Sequence, residues 1–599
     1  MFSKKTIGFI LLTLLIGIAF FPSSAQQAVE ESPDSPQSIN ELPYHLIFPL
    51  VFISEPSSPP TIDLSIQKIV VTQGSQTYTT SVPLVTDRPA VLRVLAKTSD
   101  SIPTPGIRVS LSAYRDGNLL PGSPLLSAPG EVPVTPSRAW LHTTYNFLLP
   151  SSWLSGNVTF QVILDPARAL LETNENNNTS NLTVSFGVVP PINLKIVPIN
   201  YYHNTGSGYK LYPAPKEDHM SDDLMDLFPV PGVNVSIHSP YNFYGDLRSG
   251  YYWEDLLNKI SALKLSSQVP ESEVWYGTIP IEDNSGGTWF YGGIAGVGWI
   301  GLRESIGLHD SSDGRINGGN VAAHEVGHNF NRFHAPCGVS NPDFAYPYSD
   351  GRIGQYGFDV SDFTPILYTV KDFMSYCEPN WVSDYTYDGL RRNQLFNGSQ
   401  QVQSASQPVM MIRIRISGDD DFRLEPVYEF EGLVSRTADS SEYEIELLNQ
   451  NMDAISRHPV LVMHAEEPDI EINSITAVIP KPQDQTSVIR LIKNGETILE
   501  KAVQFPVSKA FSNKPVAEPA VITEADDFYL CWDYPQIPAM VRVRGEQESG
   551  WTTLGVDIIG GKLQIFPATL PPGKVQFEIT YASSDMPAVH FEWVNLPSE

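Results

Sequence analysis

The segment HEVGHNFNRFH, residues 324–334, contains the residue types that bind and use a catalytic metal ion. His324 and His328 are four residues apart, so on a helix their imidazoles share one face and can bind the same ion. Glu325 stands beside them, where its carboxylate would be directed at a water molecule on that metal. The pattern therefore predicts a helix that carries two metal ligands and a general base.

His334 can join this set only if the helix ends before it. It follows His328 by six residues and would rotate off the ligand face of a straight helix, so the chain must turn after Asn331. Asparagine is, after glycine, the residue that best tolerates the left-handed conformation such a turn requires. Three neutral imidazoles leave one position open for water, which is typical of catalytic zinc, and Zn²⁺ is the expected cofactor. The alternative is a surface helix with solvated histidines.

These residues resemble the motif of the metzincin metallopeptidases, HExxHxxGxxH followed by a methionine-containing turn. The turn is DFMSYC, residues 372–377. The resemblance implies that Met374 forms an apolar floor beneath the metal. It also implies that Tyr376 ligates the metal and stabilises an oxyanion, with a packed aromatic side chain as the alternative. Asn331 stands where the family has glycine, which bears on the turn but not on the ligand set.

The function implied by this resemblance is that of a secreted zinc-dependent endopeptidase. Zinc lowers the pKa of its bound water, and Glu325 accepts the proton as that water attacks the scissile carbonyl. A further similarity to bacterial mucin-cleaving proteases indicates a protein or glycoprotein substrate. The alternative function is a cell-surface or matrix adhesion protein with an inactive protease domain.

Two cysteines accompany the same residues. Cys337 follows His334 by three residues and Cys377 follows Met374 by three, so both fall beside the metal in a metzincin-like arrangement. We expect a disulfide bond between them, and metal ligation by the cysteines is the alternative. The third cysteine, Cys531, is expected to be unpaired.

The surrounding pattern predicts the elements that would position the site. The segment NLKIVPI predicts a strand, residues 253–263 show helical spacing of apolar side chains, and residues 274–281 predict another strand. Glycines between residues 286 and 301 indicate backbone that another group approaches closely. Within this stretch, residues 291–300 are expected to form either an edge strand that pairs with an extended peptide or a tight turn.

Short strands with alternating apolar residues indicate immunoglobulin-like sandwiches on both sides of this region. In the first sandwich, DPARALLETNENNN at residues 165–178 resembles the strand-connecting turn of the CARDB family. The predicted fold class is multidomain, an α/β metzincin-like catalytic domain flanked by all-β immunoglobulin-like sandwich domains. The predicted domains are a signal peptide (1–25), a linker (26–60), a CARDB-like β-sandwich (61–188), a metzincin-like zinc protease domain (189–400), a β-domain (401–510) and a β-sandwich domain (511–599).

Composition limits the partners of the protein. The 599 residues carry a formal net charge of −29, which disfavours nucleic acid and anionic membrane surfaces. Two lysines, an apolar run and a small-residue site ending at Ala25 predict export, and no later apolar run is long enough to span a bilayer. We therefore expect a secreted, extracellular protein with no transmembrane segment after signal removal, whose β-domains contact cell-surface or matrix partners.

Overall fold

Strands dominate the chain, with 44% of residues in strands and 12% in helices in the computed structural model. The predicted fold class is therefore wrong, because the described residues are mostly β and contain no separate α/β metzincin-like domain. The structure describes residues 61–216, 220–397, 405–417, 421–467, 470–503, 519–524, 527–582 and 588–593. The predicted signal peptide (1–25) and linker (26–60) lie outside the described residues.

The N-terminal region forms a β-sandwich with its own core. Its strands are β1 Leu64–Thr72, β2 Leu84–Val85, β3 Val91–Thr98, β4 Thr104–Ile107, β5 Val109–Arg115, β6 Asn118–Leu119, β7 Leu125–Leu126, β8 Gly130–Val132, β9 Tyr145–Leu148, β10 Gly156–Leu164 and β11 Thr179–Gly187. One main sheet has the order β1-β3-β9, the other main sheet has the order β2-β11-β10-β5-β6, and β4 pairs with β8. Alternate residues such as Val109, Leu111 and Ala113 are fully buried between the two sheets, which confirms the strand pattern predicted for this region.

A mixed sheet in the middle of the chain positions the candidate site. Its strands are β12 Ile192–Asn204, β13 Tyr209–Tyr212, β14 Val233–Ile237, β15 Tyr241–Gly245, β16 Val274–Ile279, β17 Gly296–Gly298 and β18 Glu304–Leu308. The helices are α1 Met220–Leu227, α2 Gly250–Ser266, α3 Gly318–Asn329 and α4 Asp384–Asn397. Strands β12, β16 and β18 are parallel, and β17 pairs antiparallel with β18 at the end of the sheet order. After α3 come two short strand pairs, β19 Gly357–Asp359 with β20 Thr364–Ile366 and β21 Lys371–Asp372 with β22 Asn380–Trp381.

The remaining described residues are in strands and loops, apart from one short 3₁₀ helix at Pro567–Thr569. The strands are β23 Gln407–Ser417, β24 Asp421–Leu424, β25 Tyr428–Gly432, β26 Tyr443–Leu448, β27 Ala454–Pro459, β28 Met463–Glu467, β29 Ile470–Pro480, β30 Val488–Lys493, β31 Glu496–Ala502, β32 Ala520–Glu524, β33 Asp527–Cys531, β34 Ala539–Gly545, β35 Thr552–Ile558, β36 Lys562–Ile565, β37 Val575–Tyr581 and β38 Val589–Trp593. Cys531 is free, as predicted. None of the helices in the described parts of the chain has the length and apolar character needed to cross a membrane.

A continuous hydrophobic core explains why the middle of the chain is not an α/β domain of its own. Side chains of α2, such as Trp253 and Ile260, belong to the same buried cluster as Met411, Tyr428 and Met463 from the later strands. The apolar face of the mixed sheet is thus covered partly by one helix and partly by the following β-region. The helix and strand predicted at residues 253–263 and 274–281 are confirmed, but local periodicity could not reveal what covers them.

Candidate metal centre

The turn after helix α3 brings the third histidine back to the other two. Asn331 has a φ of 59°, and its amide donates to the His328 carbonyl at 2.8 Å. The Arg332 amide donates to the Gly327 carbonyl at 3.1 Å, so the two bonds form a Schellman motif. The left-handed turn predicted at Asn331 is confirmed, and it reverses the chain so that His334 approaches the helix.

Glycines on the edge strand allow α3 to lie directly against the sheet. A Cβ atom on Gly296 would lie 2.6 Å from the Glu325 side chain, and one on Gly298 would lie 2.5 Å from the Glu325 carbonyl oxygen. The buried Asn329 side chain fixes the end of the helix, since its Nδ2 donates to the Glu304 carbonyl at 2.9 Å. The close approach predicted from the glycine pattern is therefore confirmed, and the approaching group is the helix that carries Glu325.

The three histidines converge on one point. One ring nitrogen from each of His324, His328 and His334 lies within 4.8 Å of the other two, and the Nε2 atoms of His328 and His334 are 3.2 Å apart. On the opposite side of the rings, Nδ1 of His324 lies 2.8 Å from the Phe373 carbonyl and Nδ1 of His328 lies 2.8 Å from the Arg332 carbonyl. A carbonyl partner assigns the proton to Nδ1, which leaves each Nε2 lone pair directed at the cluster.

The donor set fits a metal ion such as zinc. All three rings are buried, which excludes the alternative of solvated histidines. Burial lowers the pKa of His324 to about 4 and that of His334 to about 3, and it lowers the pKa of His328 well below its usual value. The rings are therefore neutral and able to ligate near pH 7. Among the described residues the buried Nε2 of His324 has no hydrogen-bonding partner, and a ligated metal would satisfy it.

Glu325 lies beside the histidines with its carboxylate facing a cavity of about 420 Å³. The side chain is buried, and its Oε2 has no hydrogen-bonding partner among the described residues. Burial, together with the nearby Glu467 carboxylate, raises the pKa of Glu325 well above its usual value. A carboxyl group with a raised pKa at the wall of a cavity can exchange protons with a bound reactant.

The methionine turn packs under the helix and is tied to the histidine loop. Met374 is buried against Gly327, where a Cβ atom would overlap the methionine sulfur. The Ala335 amide donates to the Met374 carbonyl at 2.8 Å. Cys337 and Cys377 form the predicted disulfide bond next to this contact, so the alternative of metal ligation by these cysteines is excluded.

Tyr376 lies at the cluster rather than in a core. Its hydroxyl group is 3.0 Å from Nε2 of His334 and donates to Oε2 of Glu467 at 2.9 Å. Its ring stacks on that of His324, with 5.5 Å between the centroids. The role predicted for Tyr376 on a metal stays a prediction, but its hydroxyl is within hydrogen-bonding distance of His334.

Glu467 is a site residue that sequence reasoning missed. It comes from strand β28, and its carboxylate, the Glu325 carboxylate and a ring nitrogen of His328 lie within 4.8 Å of one another. No local spacing relates β28 to α3, so no sequence signal of the kind used for the histidines could have found it. Within the stretch 291–300, Gly296–Gly298 forms the edge strand and Gly292 and Gly293 have positive φ, whereas its pairing with a peptide stays a prediction.

Comparisons with known proteins identify a likeness for the N-terminal region. No family model matches the chain, and no curated protein matches it. A crystal structure of a CARDB domain from Pyrococcus furiosus is 20% identical, with a TM-score of 0.15, and the match covers 21% of this chain and 94% of that one. A solution structure of the same domain is 19% identical, with a TM-score of 0.14, and the match covers 21% of this chain and 96% of that one.

The CARDB likeness falls in the N-terminal part of the chain, where the CARDB-like domain was predicted. An exo-chitosanase from Amycolatopsis orientalis is 8% identical over 88% of this chain and 79% of that one, with a TM-score of 0.15. At these identities and scores, none of the solved structures carries a functional argument.

Proposed function

We propose that this chain is a secreted zinc-dependent peptidase in which His324, His328 and His334 hold the metal and Glu325 is the general base. The observation that carries the proposal is the convergence of three buried, neutral imidazoles beside a buried carboxylate that faces a cavity. A site with three protein ligands and an open position is typical of catalytic rather than structural zinc. The chemistry of the metzincin resemblance, though not its fold, supports the same assignment.

The residues of the chain divide the work of peptide-bond hydrolysis between them. When bound, zinc would lower the pKa of a coordinated water towards neutrality and polarise the substrate carbonyl. Glu325 can accept a proton from the attacking water and donate it to the leaving amine, so that one water is consumed as the C–N bond breaks. Tyr376 can donate its hydroxyl proton in a hydrogen bond to the carbonyl oxygen as that oxygen gains negative charge.

The flanking β-regions are proposed to bind cell-surface or matrix partners. If the metal site were inactive, the whole chain would instead be a binding or adhesion protein. The two functions differ in one measurable property, which is whether Glu325 is needed for the breakdown of a substrate.

The test compares the zinc-loaded wild-type chain with Glu325→Gln on casein, on a glycoprotein and on short peptides. We expect about one zinc per chain in both proteins by elemental analysis and a loss of roughly 1,000-fold in hydrolysis for Glu325→Gln. Glu496→Gln, at an exposed hairpin position, is the control and should retain full activity. Equal hydrolysis by wild type and Glu325→Gln, or absence of bound zinc from both, would contradict the proposal.

A further inference from the structure

Strand β28 belongs to the β-region that follows the central sheet, yet it lies along the edge strand β17 of the candidate site. At one end, the Ile300 amide donates to the His464 carbonyl at 2.8 Å. At the other end, Glu467 reaches the Glu325 carboxylate, which itself lies against Gly296. Strand β28 therefore runs from Ile300 back towards Gly296, antiparallel to β17 and beside it.

This course places β28 where part of an extended substrate would lie. An edge strand offers its free amides and carbonyls to a peptide, and β17 is the last strand of its sheet. The half of the edge near Ile300 is covered by β28. The half near Gly293, Ile294 and Ala295 lines the cavity of about 420 Å³, together with His324 and Glu325. An endopeptidase, as expected from the sequence, needs a cleft that is open on both sides of the scissile bond, whereas this cleft is open on one.

The wall formed by β28 is a fixed part of the protein. Met463 and Ala465 belong to the same buried core as Val297 and Trp299 from the edge strand and its continuation. The nearby Arg436 donates to the Met463 sulfur at 2.8 Å.

Arg436 also holds the sheet itself, because its guanidinium pairs with the fully buried Glu304 carboxylate at 2.6 Å and 2.7 Å. Moving β28 out of the cleft would take Met463 and Ala465 out of the shared core and away from Arg436, which is costly. Strand β28 is therefore a fixed wall of the cleft and not a segment that moves aside for a substrate.

The charge at the closed end of the cleft, beside Glu467, determines which end of a peptide can bind there. The Glu467 carboxylate lies there, within 4.8 Å of the Glu325 carboxyl group. A chain end that carries a carboxylate would be repelled, and an ammonium group would be attracted and could form charge-assisted hydrogen bonds. A peptide that pairs antiparallel with β17 starts at the Ile300 side, so its amino terminus is the end that faces Glu467.

We propose, on the basis of the peptidase function above, that the enzyme acts at the free amino terminus of peptides and that Glu467 binds the terminal ammonium group. In the free protein the hydroxyl of Tyr376 donates to the Glu467 carboxylate at 2.9 Å, and the substrate ammonium group would replace that donor when Tyr376 donates to the carbonyl oxygen instead. Water then adds to a carbonyl close to the amino terminus and the adjoining C–N bond breaks. The products are a free amino acid or a very short peptide with a new carboxylate, and a shortened chain with a new amino terminus that receives the proton.

The test uses the full-length zinc-loaded protein and three versions of one peptide: with a free amino terminus, with an acetylated amino terminus, and with both ends blocked. We expect kcat/KM to be about 30-fold or more higher for the free peptide than for either blocked one, since acetylation removes the charge paired with Glu467. Glu467→Gln should reduce the ratio of kcat/KM between the free and the acetylated peptide to near one, whatever its effect on the absolute rates through Glu325 and Tyr376. Glu471→Gln, an exposed carboxylate on the next strand, is the matched control and should behave as wild type.

A second readout does not depend on turnover. Calorimetric titration of the Glu325→Gln protein should give tighter binding of the free peptide than of the acetylated one, and this preference should disappear in Glu325→Gln/Glu467→Gln. Equal cleavage of free and blocked peptides would overturn the amino-terminal specificity while leaving the peptidase function intact. Faster cleavage of every peptide by Glu467→Gln would also overturn it, because β28 would then be an inhibitory segment. If nothing is cleaved, the peptidase function fails, and a binding preference for the acetylated peptide would reject the role of Glu467 as well.

Discussion

The two β-regions on either side of the central sheet are attached to it in different ways. The N-terminal sandwich has a core of its own and contributes only Val82 and Val85 to a core shared with the central region. Most of its attachment is polar, as where the Arg88 guanidinium donates to the carbonyls of Met225 at 2.6 Å and Asp226 at 2.9 Å. Such contacts join an accessory module to a body that can fold without it.

The β-region that follows the central sheet shares one hydrophobic core with it. Its contributions to the shared core are Val409, Met411, Tyr428, Phe430, Met463, Ala465, Ile472, Val478, Met540, Val556 and Ala582. Buried ion pairs cross the same boundary, including Glu254 of α2 with Arg415 of β23 at 2.9 Å. The region that shares the core also supplies Glu467 to the candidate site. A shared hydrophobic core, rather than closeness in sequence, therefore indicates which neighbouring region contributes to that site.

The largest expected effect comes from removing each region in turn. A chain that begins at residue 189 should fold and hydrolyse peptides, because it loses one separate core and a few polar contacts. A chain that ends at residue 397 should be insoluble or unfolded, because the apolar side chains of the shared core would be exposed to water. Thermal melting followed by circular dichroism, with kcat/KM for any soluble product, measures both outcomes. Similar behaviour of the two truncated chains would remove the distinction between the regions.

A single substitution at the boundary with the following β-region should destabilise the protein more than one in the N-terminal sandwich. Both effects should be smaller than those of the truncations. Arg436→Met leaves the buried Glu304 with Lys264 as its remaining cation, at 3.0 Å, and should lower the free energy of unfolding by about 3–5 kcal/mol. Arg168→Met in the N-terminal sandwich is the control, since Arg168 is 74% exposed and 3.7 Å from Glu175. Such a surface pair contributes less than about 1 kcal/mol. Urea unfolding curves distinguish the two, and equal midpoints would contradict the proposed importance of the buried pair.

The determinants of the metal centre that could be predicted from the sequence are local. His324 and His328 lie one turn apart on a helix, and the position of His334 followed from the tolerance of Asn331 for a left-handed conformation. The disulfide between Cys337 and Cys377 was predicted from the family resemblance. Its presence confirms that the histidine loop and the methionine turn lie next to each other. In each case the relative position of the residues followed either from their short separation along the chain or from a known motif.

What could not be predicted depends on contacts between distant parts of the chain. The pairing of Tyr376 with Glu467 joins residues 91 positions apart, and hydrophobic periodicity predicts that a face is buried but not what buries it. The same gap led to the wrong fold class. The apolar faces of α2 and the mixed sheet were assigned to a self-contained α/β domain, whereas Met411 and Met463 of the later strands complete that core.

Lowering the pH should destabilise the contact between the central sheet and the following β-region and stabilise the junction with the N-terminal sandwich. This is the smallest of the three expected effects. Burial alone would raise the pKa of Glu304, but Arg436 and Lys264 outweigh it and hold the pKa at about 2. Because this value lies below that of the unfolded chain, the stabilisation is complete above pH of roughly 4.5 and is lost as the pH falls towards 2.

At the N-terminal junction, burial and the neighbouring Asp359 raise the pKa of Asp226 to about 6. Here the folded chain binds the proton more tightly than the unfolded chain does, so stability is gained as the pH falls from about 6 to about 4. Hydrogen exchange, corrected for its intrinsic pH dependence, should show more protection in α1 at pH 5 than at pH 7, and less protection in β28 at pH 3 than at pH 5. A loss of protection in both elements at the same pH would mean that acid opens the protein as one unit and that the two attachments do not differ in their charges.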